Sequence, residues 1–226
     1  MRRWEELPAY MKTDETAPYY GILARKRHQL VLKRVFDVLF SVLLIVLLCP
    51  VMLVIAVAVR ATSPGEVIFR QIRVTTYGKR FHIYKFRTMV AGAPEQGSQV
   101  TVSGDARITG IGKFLRKVRL DELPQLFNIL RGDMSFVGTR PEVEKYVARY
   151  EPEMYATLLM PAGVTSTASI EYKDEERLLS GGSDVDETYV NEILPAKMKY
   201  NLQYIEEFSI GKDVLILVRT VLAVLS

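Results

Sequence analysis

Val38 to Val59 reads VLFSVLLIVLLCPVMLVIAVAV, 22 residues without a charge. A bilayer core is ~30 Å thick and is crossed by ~20 apolar helical residues. The segment passes that length test, and a buried helix of a soluble domain is rarely so long and so uniformly apolar. It starts too late, runs too long and lacks a following small-residue cleavage site, so it does not read as a signal peptide. Pro50, after Cys49, lies near its middle. Proline removes a backbone donor and clashes with the preceding turn, which kinks a helix.

Both flanks are basic. Arg25, Lys26, Arg27, Lys33 and Arg34 precede the segment; Arg60, Arg70 and Arg73 follow, against Glu66 alone. Basic flanks are retained on the cytoplasmic side. The pattern fits a re-entrant helix that enters, bends at Cys49-Pro50 and leaves by the same face. A kinked spanning helix is the alternative that the residues alone leave open. Lys33 and Asp37, four apart, can share a helix face, and an interfacial anchor is their simplest reading.

The 226 residues suit one domain, or one domain plus a membrane element. Nearly half are hydrophobic and a quarter charged, which excludes a disordered chain. The single cysteine excludes an internal disulfide framework, and two histidines argue against a His-based metal centre. The net charge of +4 hides a split. Residues 1–141 carry 22 basic and 11 acidic side chains, and residues 142–226 carry 8 and 15. A basic first part points to phosphate ligands, anionic lipid or nucleic acid.

The remainder reads as helix-rich α+β. Ser63-Pro64-Gly65 signals a turn. Val67 to Phe69 and Phe81 to Phe86, joined through Thr76 to Lys79, predict a β-hairpin. Residues 91–104, rich in Gly, Ser and Ala, and Gly181-Gly182-Ser183 read as loops. Helical spacing covers Ile111 to Arg119, and Leu123 to Leu130 with Pro124 in its first turn. Glu142 to Leu159 reads as helical and Thr165 to Tyr172 as extended. Asp186 to Phe208 reads as helical with a break near Pro195. Val214 to Leu225 is too short to span, so it reads as an interfacial or core-packed amphipathic helix.

The standard nucleotide loops, the zinc-protease motif and the serine-hydrolase elbow are all absent. Basic residues interleaved with aromatics at 70–87 suggest nucleic acid only weakly, and a nucleic-acid binder does not account for the apolar segment. Asp184-Val185-Asp186 could hold a divalent cation on a diphosphate, but three residues recur often by chance and a solvated loop explains them. More informative is KFLRKVRLDELPQLFNILRGDMSFVGTRP at 113–141. Asp121 and Glu122 lie at a helix start, with Arg116, Lys117 and Arg119 before them and Arg131 and Arg140 after. A helix start favours anions, so the acidic pair could be simple end preference; the basic neighbours suggest an anion site.

With YKFRTM at 84–89, this string resembles the small monotopic phosphoglycosyl transferases, the bacterial sugar transferases that act on polyprenyl phosphate. The resemblance runs in order over about residues 32–226. It implies a re-entrant membrane helix (residues 32–60) and a cytosolic catalytic domain (61–226), with 1–31 as an extension. It implies transfer of a sugar 1-phosphate from a UDP-sugar to polyprenyl (undecaprenyl) phosphate, with UMP released, at the cytoplasmic face of the bacterial inner membrane. Asp121 then stands as nucleophile and Glu122 as a ligand of Mg²⁺. Lys85, Arg87, Arg116 and Arg140 stand at the phosphates, and Cys49-Pro50 at the helix kink. A carboxylate nucleophile splits the transfer into two steps and needs neither Cys nor His.

Four departures stand out: Cys49 where a Ser is common, Thr139 for the first Pro of Pro-Arg-Pro, Ala162 for Pro before Gly163, and TSTASI at 165–170. Thr139 is expected to loosen the loop that aims Arg140. Two other classes compete. One is a cation-dependent glycosyltransferase using Asp184 and Asp186 and releasing UDP; the other is a non-catalytic membrane scaffold. Partners besides the substrates would be membrane lipids. A homodimer is compatible with the sequence, but no feature argues for one.

Overall fold

The computed structural model describes residues 1–90, 92, 105–175, 179 and 185–225. The loops read at 91–104 and 181–183 therefore lie outside the described residues, apart from Gly92. The chain opens with two 3-10 turns, Trp4–Glu6 and Ala9–Met11, and helix α1, Ala17–Arg25. Leu7, Met11, Tyr19 and Leu23 from this stretch are buried in the main core. The extension thus packs on the body, and the Tyr19 hydroxyl donates to Glu153 Oε1 at 2.7 Å.

Helix α2, Arg27–Thr62, contains the whole apolar segment. At 1.5 Å per residue it is ~54 Å long. The expected break at Cys49-Pro50 does not interrupt it: helix continues on both sides of Pro50. A proline can bend a helix without ending it, because only the preceding turn loses a bond. Only 17% of its most apolar 18-residue window is buried. The buried residues Lys33, Asp37, Ser41, Met52, Ile55 and Val59, with half-buried Ile45 and Leu48 between, recur every three or four positions. They form one stripe along the helix, which packs on the domain both before and after Pro50. The other faces stay apolar and exposed, as at Val46 (70%) and Val57 (69%).

Lys33 and Asp37 are not surface anchors. Lys33 Nζ donates to Asp213 Oδ2 at 2.6 Å, both side chains being buried. Asp37 Oδ1 accepts from Ser135 Oγ (3.0 Å) and Phe136 N (3.1 Å). The Arg34 guanidinium caps carbonyls of a later helix, at Ile129 and Leu130.

The hairpin forms as expected, with a longer first strand. Strands β1, Ile68–Val74, and β2, Arg80–Phe86, pair antiparallel from Ile68↔Phe86 to Val74↔Arg80. Helix α3, Gly110–Lys117, follows. Next come a 3-10 turn, Leu120–Glu122, and helix α4, Gln125–Arg131, so the acidic pair sits in the turn before the helix. Strand β3, Met134–Val137, pairs parallel with β4, Ala162–Thr165. This pair was not legible, because all four residues of β3 are buried and no alternation marks them. The stretch read as one helix, 142–159, is two pieces: α5, Glu144–Val147, and a 3-10 segment, Pro152–Leu159. Pro152 supplies the break, since it cannot continue an α-helix. Thr165–Tyr172, read as extended, is instead the end of β4 and then helix α6, Thr167–Glu171. Ser166 starts that helix by accepting from Ser169 N.

Helix α7, Val185–Thr188, leads through a π-turn, Tyr189–Ile193, into α8, Leu194–Glu206, with Pro195 tolerated in its first turn. Helix α9, Ile210–Leu225, ends the described chain. It buries Asp213 and Ile216 and exposes Val214, Leu215, Val218, Val221 and Leu222.

Asn128 of α4 clips the hairpin in place. Its Nδ2 donates to the His82 carbonyl (2.7 Å) and its Oδ1 accepts from Tyr84 N (3.0 Å). Asn128→Ala leaves two backbone groups of β2 unpaired beside a fully buried site. The expected loss is about 2–3 kcal/mol, read as a melting temperature lowered by roughly 5–10 °C.

Candidate active site

Three separate segments meet at Glu122. Its Oε1 accepts from Lys85 Nζ of β2 at 2.7 Å and from an Arg140 terminal nitrogen at 2.9 Å. Its backbone sits in the turn that Arg119 opens. Arg119 has φ 57°, the left-handed region that non-glycine residues seldom occupy. Strain of that kind persists where the surroundings over-determine the backbone, and here it turns both carboxylates inward. Asp121 and Glu122 are each buried. Sequence reading placed Arg119 among the basic residues but gave it no role, although it lies two residues before the dyad.

Arg140 is aimed by the β3–β4 pair. Gly138 N donates to the Thr165 carbonyl (3.0 Å) and Gly163 N to the Thr139 carbonyl (2.9 Å). The strands approach so closely that a Cβ on Gly163 would lie 2.1 Å from Gly138 N. Thr139 therefore does not release this loop: its carbonyl extends the pairing, and Ala162 N is held by Thr75 Oγ1 at 3.1 Å.

The other expected phosphate contacts separate. Arg116 of α3 lines the same groove as the dyad. Arg87 lines it too, but its guanidinium is bound to Ser63, by the carbonyl at 2.7 Å and Oγ at 2.8 Å. Arg87 thus ties the end of β2 to the end of α2.

The two carboxylates are driven in opposite directions. Burial opposes ionisation of Glu122, but Arg140, Lys85 and Arg119 outweigh it and hold this carboxyl well below the usual carboxylate range. Glu122 in turn holds the Arg140 guanidinium firmly protonated. Burial pushes Asp121 up; Lys85 lowers it, and the charge on Glu122 raises it again. Burial also lowers Lys85, with Glu122 opposing. Asp121 Oδ1 is buried and has no hydrogen-bond partner among the described residues. A buried acceptor without a donor is costly, and calls for a ligand, cation or water.

Among the described residues no cluster of three or more His, Cys, Asp or Glu could hold a metal unaided. Mg²⁺ commonly takes only one or two carboxylates and draws its other oxygens from substrate phosphates and water. The unpaired Asp121 oxygen and the anionic Glu122 fit that donor set.

The groove has a volume of about 1370 Å³. The dyad, Lys85, Arg116 and Arg140 line one part. Leu44 and Leu48 of α2, with Ala223 and Val224 of α9, line another. A third part holds Glu142, Tyr189, Lys197 and Glu175, none of which the sequence singled out. Asp186 is far from a free cation ligand: Oδ1 accepts from the Tyr146 hydroxyl (2.5 Å) and Oδ2 from Lys145 Nζ (2.6 Å). Asp184 lies outside the described residues.

Fold and site together define a protein with a phosphate-suited groove set against a long lipophilic helix. Residues 28–226 match the bacterial sugar transferase family, and the chain belongs to it. It is similar to an Aeromonas hydrophila protein named UDP-N-acetylgalactosamine-undecaprenyl-phosphate N-acetylgalactosaminephosphotransferase, at 38% identity over 199 residues, 86% of this chain and 44% of that protein. Two proteins named UDP-glucose:undecaprenyl-phosphate glucose-1-phosphate transferase are each 37% identical to it. The match covers 85% of this chain and 40% of the Klebsiella pneumoniae protein. It covers 86% of this chain and 70% of the Caulobacter vibrioides protein. The chain thus spans less than half the length of the first two.

Removing the charge beside Asp121 should ease its ionisation. Asp121 is expected to titrate above the ordinary aspartate value of 3.8, and Glu122→Gln to move that titration downward. A carboxyl ¹³C titration of aspartate-labelled protein reads both; an unmoved or rising midpoint in the variant would refute the coupling.

Proposed function

We propose that this protein transfers a sugar 1-phosphate from a UDP-sugar to polyprenyl phosphate, through a covalent aspartyl intermediate on Asp121. The observation that carries the reading is the buried, unpartnered Asp121 Oδ1 beside the Lys85–Glu122–Arg140 cluster. The names of the related transferases support the substrate classes.

In the first half-reaction an Asp121 oxygen attacks the sugar-linked phosphorus. The bond from that phosphorus to the bridging oxygen breaks, and UMP leaves with that oxygen and its electron pair. In the second, an oxygen of polyprenyl phosphate attacks the same phosphorus and Asp121 departs as carboxylate. No proton transfer is required, which suits a site without His or Cys. Lys85 and Arg140 face the diphosphate with fixed positive charge, and Arg is suited to paired contacts with phosphate oxygens. Their existing bonds to Glu122 orient them before substrate arrives. Asp121 and Glu122 are the residues to hold Mg²⁺, which when bound neutralises charge developing on the leaving UMP.

The acceptor's lipid tail and phosphate fit a groove that joins apolar side chains of α2 and α9 to the dyad. We place α2 in the membrane as a re-entrant helix bent at Cys49-Pro50, with α9 at the interface. A helix crossing the bilayer would meet a domain only at one end, whereas the packed stripe of α2 runs from Lys33 to Val59. The basic flanks agree. The catalytic body then lies on the cytoplasmic face of the inner membrane, at the first membrane step of surface glycan assembly. The reading through Asp184 and Asp186 is disfavoured, because Asp186 is already held by Lys145 and Tyr146.

Intact-protein mass spectrometry tests the chemistry. With Mg²⁺ and a UDP-sugar panel, the protein should gain the mass of one sugar phosphate and release UMP. Asp121→Asn should form no adduct and lose at least ~10⁴-fold in turnover; UDP release without an adduct would sink the scheme. Topology is checked in intact cells by thiol labelling of His28→Cys and Thr62→Cys in a Cys49→Ser background. Both positions should be shielded from an impermeant external reagent. Labelling of just one would mean that α2 spans.

A further inference from the structure

The third part of the groove has a construction that phosphate binding does not require. Beyond Arg140, a chain of side chains runs from Glu142 to Glu175. The Tyr189 hydroxyl donates to Glu142 Oε1 at 2.5 Å. It accepts from Lys197 Nζ at 3.3 Å, and Lys197 also donates to Glu175 Oε2 at 2.8 Å. Arg73 braces the other end, donating to the Pro141 carbonyl at 3.1 Å, with Glu142 Oε2 at 3.8 Å. Glu142, Tyr189 and Lys197 are buried. Glu175 is the wetted end of the chain, its side chain 22% exposed. Its Oε1 accepts no hydrogen bond among the described residues, so the network ends on an oriented acceptor in the groove.

This acceptor lines the same groove as Arg140 and the dyad, and Glu142, two residues from Arg140, anchors the chain that leads to it. Carboxylates so close to a phosphate position repel a further anion. They suit a neutral group rich in hydroxyl donors, and Tyr172 and Lys197 line the same groove. A hexose attached to the diphosphate has that chemistry. The uracil ring, with a single N–H donor, would use little of it.

We propose that Glu175, oriented by Lys197 and Tyr189, accepts a hydrogen bond from a hydroxyl of the donor's sugar and thereby sets which UDP-sugar is used. This rests on the reading that a UDP-sugar is the donor. Glu175 would contact substrate directly, and Lys197 would be a positioning residue. A site built to hydrogen-bond a hydroxyl discriminates against a donor lacking it, because its own groups are then left unpaired.

The test uses the full-length protein in detergent or nanodiscs, comparing wild type with Glu175→Gln and Glu175→Asp. Adduct formation is measured across UDP-glucose, UDP-galactose, their N-acetyl counterparts and monodeoxy analogues of the preferred donor; UMP affinity is measured separately. Glu175→Gln should lower kcat/KM for the preferred donor by roughly tenfold to a hundredfold. It should narrow the ratio between donors, and one deoxy analogue should lose its penalty in the variant. UMP affinity should not move, and Glu175→Asp should retain part of the preference. An unchanged donor ranking in a folded variant would overturn the proposal. A parallel fall in UMP affinity would overturn it too, by assigning the lobe to the nucleoside. If wild type forms no adduct with any donor, the transferase reading itself has failed, and the proposal falls with it.

Discussion

One carboxylate oxygen organises the site. Glu122 Oε1 takes a hydrogen bond from Lys85 on the hairpin and another from Arg140 on the loop after β3. Burying a lone carboxylate costs several kcal/mol, and burying it with two hydrogen-bonded cations offsets that cost only if all three hold their positions. The geometry of β2, of the strained turn at Arg119 and of the β3–β4 loop is therefore set by one convergence. The same convergence separates two adjacent acids. Glu122 spends its charge on Lys85 and Arg140, while Asp121 keeps an oxygen with no partner among the described residues.

The seat of α2 follows the same logic at larger scale. Its polar end is fastened by hydrogen bonds, two of them buried: Lys33 to Asp213 and Asp37 to β3, with Arg34 to the end of α4 at the edge. The Tyr204 hydroxyl completes the first of these, donating to Asp213 Oδ1 at 2.6 Å. Its far end is fastened by apolar contact of Met52, Ile55 and Val59 with Phe86 and Leu115, and by Arg87 bound to Ser63 just past the helix. Lys33 and Asp37 are spaced to pair with each other, yet each is matched to a separate element. The helix consequently links α9 and β3, and its Leu44 and Leu48 line the groove together with residues of both.

Elements with a local signature were readable. The hairpin declared itself through two β-rich runs around Thr76 to Lys79, where Tyr77 and Gly78 both take positive φ. Helix α3 declared itself through Ile111, Phe114, Leu115 and Val118. The parallel β3–β4 pair did not, because a short fully buried strand has no alternation. Ser166 misled for a related reason: a serine after a strand reads as more strand unless its role as a helix cap is seen. The N-terminal extension was undecidable, since Trp4, Tyr10, Tyr19 and Tyr20 suit an interface as well as a core. Its burial depends on the Pro152–Leu159 segment, more than a hundred residues away.

By itself the sequence determined the uncharged helix and its basic flanks, the acidic pair and the family to which its motifs belong. These are properties of contiguous residues, written in hydropathy and spacing. Only the tertiary structure decided which cations serve the dyad. Lys85 and Arg140 reach Glu122 across 37 and 18 residues, whereas Arg87, two residues from Lys85, turns to Ser63. Two residues apart on a strand would share one face, but β2 ends at Phe86 and Arg87 lies beyond it, so proximity in the chain carries no promise of proximity in the site. The run from Glu142 to Glu175 was likewise invisible, because its members come from four segments. What joins them is the requirement that every buried charge or hydroxyl find a partner, and that requirement is met only in three dimensions.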